Sequence, residues 1–206
     1  DLHSGFRPFS PRHHISLSGE RLDDRPLAFN AMELINSGAV QTDVMELFRD
    51  WCGLINAGHK VTPVGSSDSH DVARYIVGQG RTYIRCDDSN VAGINVDEAV
   101  DAFVDGRVVV SFGLFNDFRV NESHRPGDLV TPDPGDDHVT LEVDVHGLAF
   151  ARADWVEIYV NGVKQFSQRN LINVWSGNSS RKMRMKCSLP LDQWQHDVWL
   201  TAVARG

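Results

Sequence analysis

The sequence is short of cysteine, of long apolar runs and of positive charge, and each shortage removes a class of protein. Three cysteines occur in 206 residues, Cys52, Cys86 and Cys187. They are odd in number, far apart and without a CxxC pair, which argues against a disulfide framework or a zinc ribbon and leaves three partly buried thiols. No apolar run reaches the roughly 18 residues that a membrane-spanning helix needs, so no membrane span is expected. Twenty Lys and Arg stand against 28 Asp and Glu, a formal charge of −8. With no basic cluster to offset that balance locally, a nucleic-acid or anionic-membrane surface is not expected. The densest basic stretch, Arg181 to Lys186, alternates with Met183 and Met185 and reads as a half-buried strand with a basic outer face. A glycine-rich phosphate loop, a GxSxG elbow and a Cys/His nucleophile pair are also missing. The chain opens on Asp1 with neither Met nor a signal-peptide core, which reads as an internal beginning of a longer protein.

What is present is ordinary for a globular protein, 41% hydrophobic and 23% charged residues, enough to bury a core. Residues 1–30, rich in Pro, His, Arg and Ser, read as a long loop. Residues 27–35 give a short apolar run ending at Asn36, Ser37 and Gly38, a buried strand and turn. Val44, Leu47, Phe48, Trp51, Leu54 and Ile55 recur at helical spacing, with Thr42 or Asp43 to cap the start and Gly58 past the end. Strands are predicted over 60–64, 81–85 and 107–112, and a second helix over 97–104 with Asn95 or Asp97 near its start. Strand, helix, strand at this spacing means α/β architecture, and the apolar centre of 107–112 suits a buried parallel strand. After about residue 116 no amphipathic helix appears. Residues 140–145 and 155–160 alternate strictly, Asn161-Gly162 is a hairpin signal, and 183–189 and 198–204 supply two more strands. Two domains follow: 1–116, α/β, and 117–206, an all-β module of the immunoglobulin-like sandwich kind.

The most pointed motif is Gly65-Ser66-Ser67-Asp68-Ser69-His70, at the carboxyl end of a predicted strand, where sites in α/β folds assemble. Asp68 and His70, two apart in an extended segment, project to one side, and carboxylate and imidazole suit Zn, Mn or Fe. The plainer reading is a polar turn with Asp68 as a cap and His70 in solvent. Arg74 and Arg81 flank the loop and would suit an anionic substrate through bidentate bonds or, equally, structural ion pairs. His59, His124, His138, His146 and His196 show no ligand spacing.

Five pieces in order carry a family resemblance: Ala31-Met-Glu-Leu-Ile-Asn36, Trp51-Cys-Gly-Leu-Ile-Asn-Ala-Gly58, Pro63-Val-Gly-Ser-Ser-Asp-Ser-His70, Gly80-Arg-Thr-Tyr83 and Gly106-Arg-Val-Val-Val-Ser-Phe-Gly113. Together they resemble PHP (polymerase and histidinol phosphatase) domains, in particular the bacterial group related to carbaryl-hydrolysing enzymes. The resemblance implies the C-terminal part of a distorted (β/α)7 barrel with divalent metal at the carboxyl ends of its strands. It implies Asp68 and His70 as metal ligands and Glu33 as an acceptor that orients a ligand, or else a solvated strand-end carboxylate. Asn36 would shape the same rim. The chain departs from the family in lacking the opening His-x-His motif. His3, His13 and His14 match none of the upstream ligand segments cleanly, so the metal site is incomplete here.

Two functions of different class follow. In one, the chain is a fragment of a metal-dependent hydrolase, a phosphoesterase above all, in which metal-activated water attacks a small ester or phosphoester. A missing N-terminal segment or self-association would then complete the barrel. In the other it is a non-catalytic module that binds a glycan or a protein, with Trp155, Trp175, Trp194 and Trp199 either stacking on sugars or filling a core. A fragment inert by itself is the third possibility. The group it resembles is often exported, but the sequence sets no compartment.

Overall fold

The computed structural model describes residues 16, 18–20, 27–36, 43–70, 72, 76–170 and 180–206. The chain divides into two compact units, Asp1–Phe112 and Gly113–Gly206.

In the first unit, β1 (Ala31–Ile35) leads to α1 (Val44–Asn56) and then to β2 (Thr62–Gly65), which pairs with β1 in parallel. α1 forms where the apolar spacing predicts it. Asp43 caps it by accepting from the Met45 amide at 3.0 Å, and Gly58, at φ 82°, takes the left-handed turn beyond its end. Its buried side carries Leu47, Phe48, Trp51, Cys52 and Leu54, and the Trp51 indole donates to the Val61 carbonyl at 2.8 Å. α1 packs on β1, and burial of this face stabilises the unit. β3 (Arg81–Ile84) and β4 (Val108–Ser111) then pair antiparallel, with α2 (Val96–Val104) between them in sequence. Asn95 caps α2, its side-chain oxygen accepting from the amides of Asp97 and Glu98 at 3.1 and 3.3 Å.

Among the described residues the second unit holds six strands: β5 (Leu114–Val120), β6 (His138–Gly147), β7 (Trp155–Val160), β8 (Val163–Arg169), β9 (Arg181–Pro190) and β10 (Leu200–Arg205). They form two three-stranded antiparallel sheets, ordered β5-β6-β9 and β10-β7-β8. Asn161 and Gly162, both at positive φ, make the tight turn between β7 and β8, with Val160 opposite Val163. Alternation fills the shared core: Leu141, Val143 and Val145 of β6 meet Val156, Ile158 and Val160 of β7 and Met183, Met185 and Leu189 of β9.

The opposite faces of both central strands carry buried acids rather than water-facing ones. Asp144 on β6, its side chain only 3% exposed, accepts from Arg184 Nε and Nη2 at 2.8 and 2.7 Å and from Arg119 Nη2 at 3.0 Å. The Arg184 hydrogen bonds hold its carboxyl below the usual carboxylate range against the opposing pull of burial. Glu157 on β7 takes the same part in the other sheet. Burial pushes its carboxyl up, but Lys164 at 3.0 Å, the Tyr159 hydroxyl at 2.9 Å and Arg205 at 2.9 Å outweigh that and keep it below its ordinary value.

The expected fold class is corrected by these pairings. Among the described residues there are two helices and ten strands in four sheets of two or three strands, and no barrel. The protein is β-rich. A (β/α) barrel needs each crossover helix to return the chain parallel, and among the described residues only the β1-α1-β2 segment does so. Around α2 the chain returns antiparallel, so 107–112 is not the parallel strand that its apolar centre suggested. In the second unit the described residues form two small antiparallel sheets that share one apolar core.

Candidate functional site

The carboxyl ends of β1 and β2 lie side by side because the pair is parallel, with Glu33 opposite Val64 and Ile35 opposite Gly65. A register shift between Glu33 and Ile35 lies at this end of β1. Glu33 uses both carboxylate oxygens. Oε2 accepts from Asn36 Nδ2 at 2.7 Å, and Oε1 accepts from the Ser66 hydroxyl. Asn36 is 1% exposed, and the Ser66 amide donates to the Ile35 carbonyl at 2.9 Å. Glu33 therefore ties the ends of the two strands together.

The other flank of the 65–70 loop is held as closely. The Thr82 hydroxyl donates to the Gly65 carbonyl and accepts from the Gly65 amide, both at 2.9 Å, and Ser67 Oγ accepts from the Gly78 amide at 3.3 Å. Gly80 lies so close to Ser66 that a Cβ there would meet the Ser66 carbonyl oxygen at 2.0 Å. Gly80, one of the quoted motif residues, is thus a close-approach glycine.

Out of this clamped base rise Asp68 and His70. Asp68 has φ 48°, a left-handed conformation that Asp tolerates better than most residues. It turns its own carbonyl toward His70, whose Nδ1 is 2.7 Å away, while the Asp68 carboxylate lies at 3.4 Å from the same nitrogen. A carbonyl only accepts, so in the neutral ring Nδ1 carries the hydrogen and Nε2 is the acceptor atom. That is the tautomer in which a histidine ligates metal through Nε2, with Nδ1–H anchored to a carbonyl. Both side chains are solvent-accessible.

The donors, one carboxylate and one imidazole nitrogen, fit a divalent ion such as Zn, Mn or Fe in kind. They supply two positions, and among the described residues no group of three or more His, Cys, Asp and Glu is placed to hold a metal. Arg81 donates from Nε to the Gly78 carbonyl and from Nη1 to the Tyr83 hydroxyl at 3.1 Å. Asn36 is beneath the rim, holding Glu33. Arg74, His3, His13, His14 and Trp175 lie outside the described residues. Sequence reasoning singled out Asp68, His70, Glu33 and Asn36 but passed over Ser66 and Thr82. The signal for Ser66 was a hydroxyl directly after the strand-ending Gly65; Thr82 offered only its place in a β-rich run.

None of the described helices is long and apolar enough to cross a membrane. No known protein family, curated protein or solved structure matches the chain.

Proposed function

We propose that the chain is part of a metal-dependent hydrolase and that the 65–70 loop is its metal-binding arm, acting on a small ester or phosphoester. The observation that carries this reading is the contact of His70 Nδ1 with the Asp68 carbonyl, in the loop that leaves β2 beside the end of β1, with both the His70 ring and the Asp68 carboxylate open to solvent. A bound divalent ion would supply Lewis acidity there, lowering the pKa of water and neutralising charge that builds on a phosphoryl or acyl oxygen. Asp68 and His70 would hold it. Glu33, Ser66, Asn36 and Thr82 fix the base of the loop at Gly65 and Ser66. The remaining coordination positions belong to donors beyond this pair.

The reading as a glycan-binding module has less behind it. One face of the Trp155 ring is occupied by the Arg169 guanidinium at 5.0 Å, and Trp194 packs against the apolar core of the second unit.

The test is a hydrolysis screen on p-nitrophenyl phosphate and p-nitrophenyl acetate with added Mn²⁺ or Zn²⁺, comparing the chain with Asp68→Ala and His70→Ala. Metal-dependent turnover that falls about 100-fold or more in both variants supports the reading. Turnover that is unchanged in either variant sinks the assignment of that residue.

A further inference from the structure

α2 places two parallel rows along one side of the first unit. Val96, Val100 and Val104 recur every four residues, and Asp97, Asp101 and Asp105 form a second row one residue on. The inward side of the helix is elsewhere, at Ala102, its one fully buried residue. The valine row faces out: Val96 is 69% exposed, Val100 53% and Val104 43%. Just before the helix in sequence, Val91 and Ile94 are exposed as well. Five β-branched apolar side chains turned to water over so short a stretch are not the scattered exposure normal for a surface. Such a patch marks a binding face.

The acidic row decides what kind of partner fits. In an antiparallel pairing of two copies of α2, the like flanks meet, and Asp97, Asp101 and Asp105 would oppose their own counterparts; like charges set together disfavour that pairing. A neutral apolar partner would cover the valines and leave the acids at the rim uncompensated. We infer that α2 is a docking ridge for an amphipathic helix of another chain, one whose apolar row is edged by Lys or Arg. Helix-on-helix docking then covers the valines, and Asp97 and Asp101 pair with the basic edge. Asp105 already holds Lys60 at 2.9 Å and sets the end of the ridge.

The test uses the full chain and a fluorescein-labelled peptide of about five helical turns with Leu at i, i+4 and i+7 positions and Lys along one flank. Two controls accompany it: the scrambled peptide of the same composition, and the peptide with Glu in place of Lys. Anisotropy titrations should show binding of the Lys peptide at least about tenfold tighter than of either control. Val100→Glu, at an exposed position where circular dichroism can confirm that the fold persists, should weaken it by about tenfold or more. Asp101→Lys should weaken the Lys peptide and strengthen the Glu peptide, and raising salt should erode the preference between them. Equal binding of the scrambled peptide would reduce the effect to attraction by an acidic chain and overturn the inference. Sedimentation showing a dimer that Val100→Glu dissociates would overturn it too, since the ridge would then belong to a second copy.

Discussion

Asp144 gives the sharpest test of how the second unit is held together. Its carboxylate is buried on the central strand of a sheet, with Arg184 Nε and Nη2 at 2.8 and 2.7 Å, Arg119 Nη2 at 3.0 Å and Arg181 Nη1 at 3.7 Å. A unit pair at about 4 Å in an effective dielectric of about 20 is worth about 4 kcal/mol before desolvation, and desolvation takes back several. Arg184 is half-exposed and can turn to water once its partner is gone, whereas Arg119 is more enclosed and its Nε is already buried without a partner. Asp144→Asn should therefore cost about 2–4 kcal/mol, nearer the lower end for the freedom of Arg184. The assay is urea unfolding followed by hydrogen exchange of the β6 and β9 amides. The pH dependence fixes the cause. The folded carboxyl lies below its ordinary value, so its contribution is fully present above about pH 4 and is lost as pH falls through the folded pKa. Below that range wild type and variant should converge. A loss under about 0.5 kcal/mol at neutral pH, or a gap that persists in acid, would refute the reasoning.

Three further outcomes are expected. Burial pushes the Cys52 thiol up to about 12 and leaves no exposed surface, so Ellman's reagent at about pH 8 should leave Cys52 unlabelled until the chain unfolds; fast native labelling at that position, read by peptide mass mapping, contradicts this. Gly80→Ala forces a methyl group onto the Ser66 carbonyl and should destabilise the first unit by about 1–3 kcal/mol, read from its urea midpoint, with a neutral result showing that the loop is not clamped. Leu54→Ala, at a fully buried position of α1, should cost about 2–5 kcal/mol in the same assay.

Legibility in the sequence followed the range of the interactions. α1, its Asp43 cap and the Gly58 turn depend on neighbours three or four residues away, and the spacing shows them. The Asn161-Gly162 turn and the alternating β6, β7 and β9 are local in the same way. Pairing direction is not local. Nothing in the apolar run 107–112 says that it meets Arg81–Ile84 antiparallel, and the parallel strand inferred there supported an α/β architecture that this pairing does not follow. β5 alternates too, Leu114, Asn116, Phe118 and Val120 against Phe115, Asp117 and Arg119, but it crosses the point where a domain boundary was expected and was not read as a strand. At the candidate site, Asp68 and His70 were legible because two chemical donors stand two residues apart. The tie between Glu33 and Ser66 spans 33 residues and exists only once β1 and β2 pair.

The proposal that the 65–70 loop is a metal-binding arm is tested most directly by elemental analysis of the chain, purified without chelator and dialysed against Mn²⁺ and Zn²⁺. About one tightly held ion per chain, lost in the Asp68→Ala/His70→Ala double variant, is the expected result. No retained metal, or metal retained equally by the double variant, would contradict the assignment of these two residues as ligands.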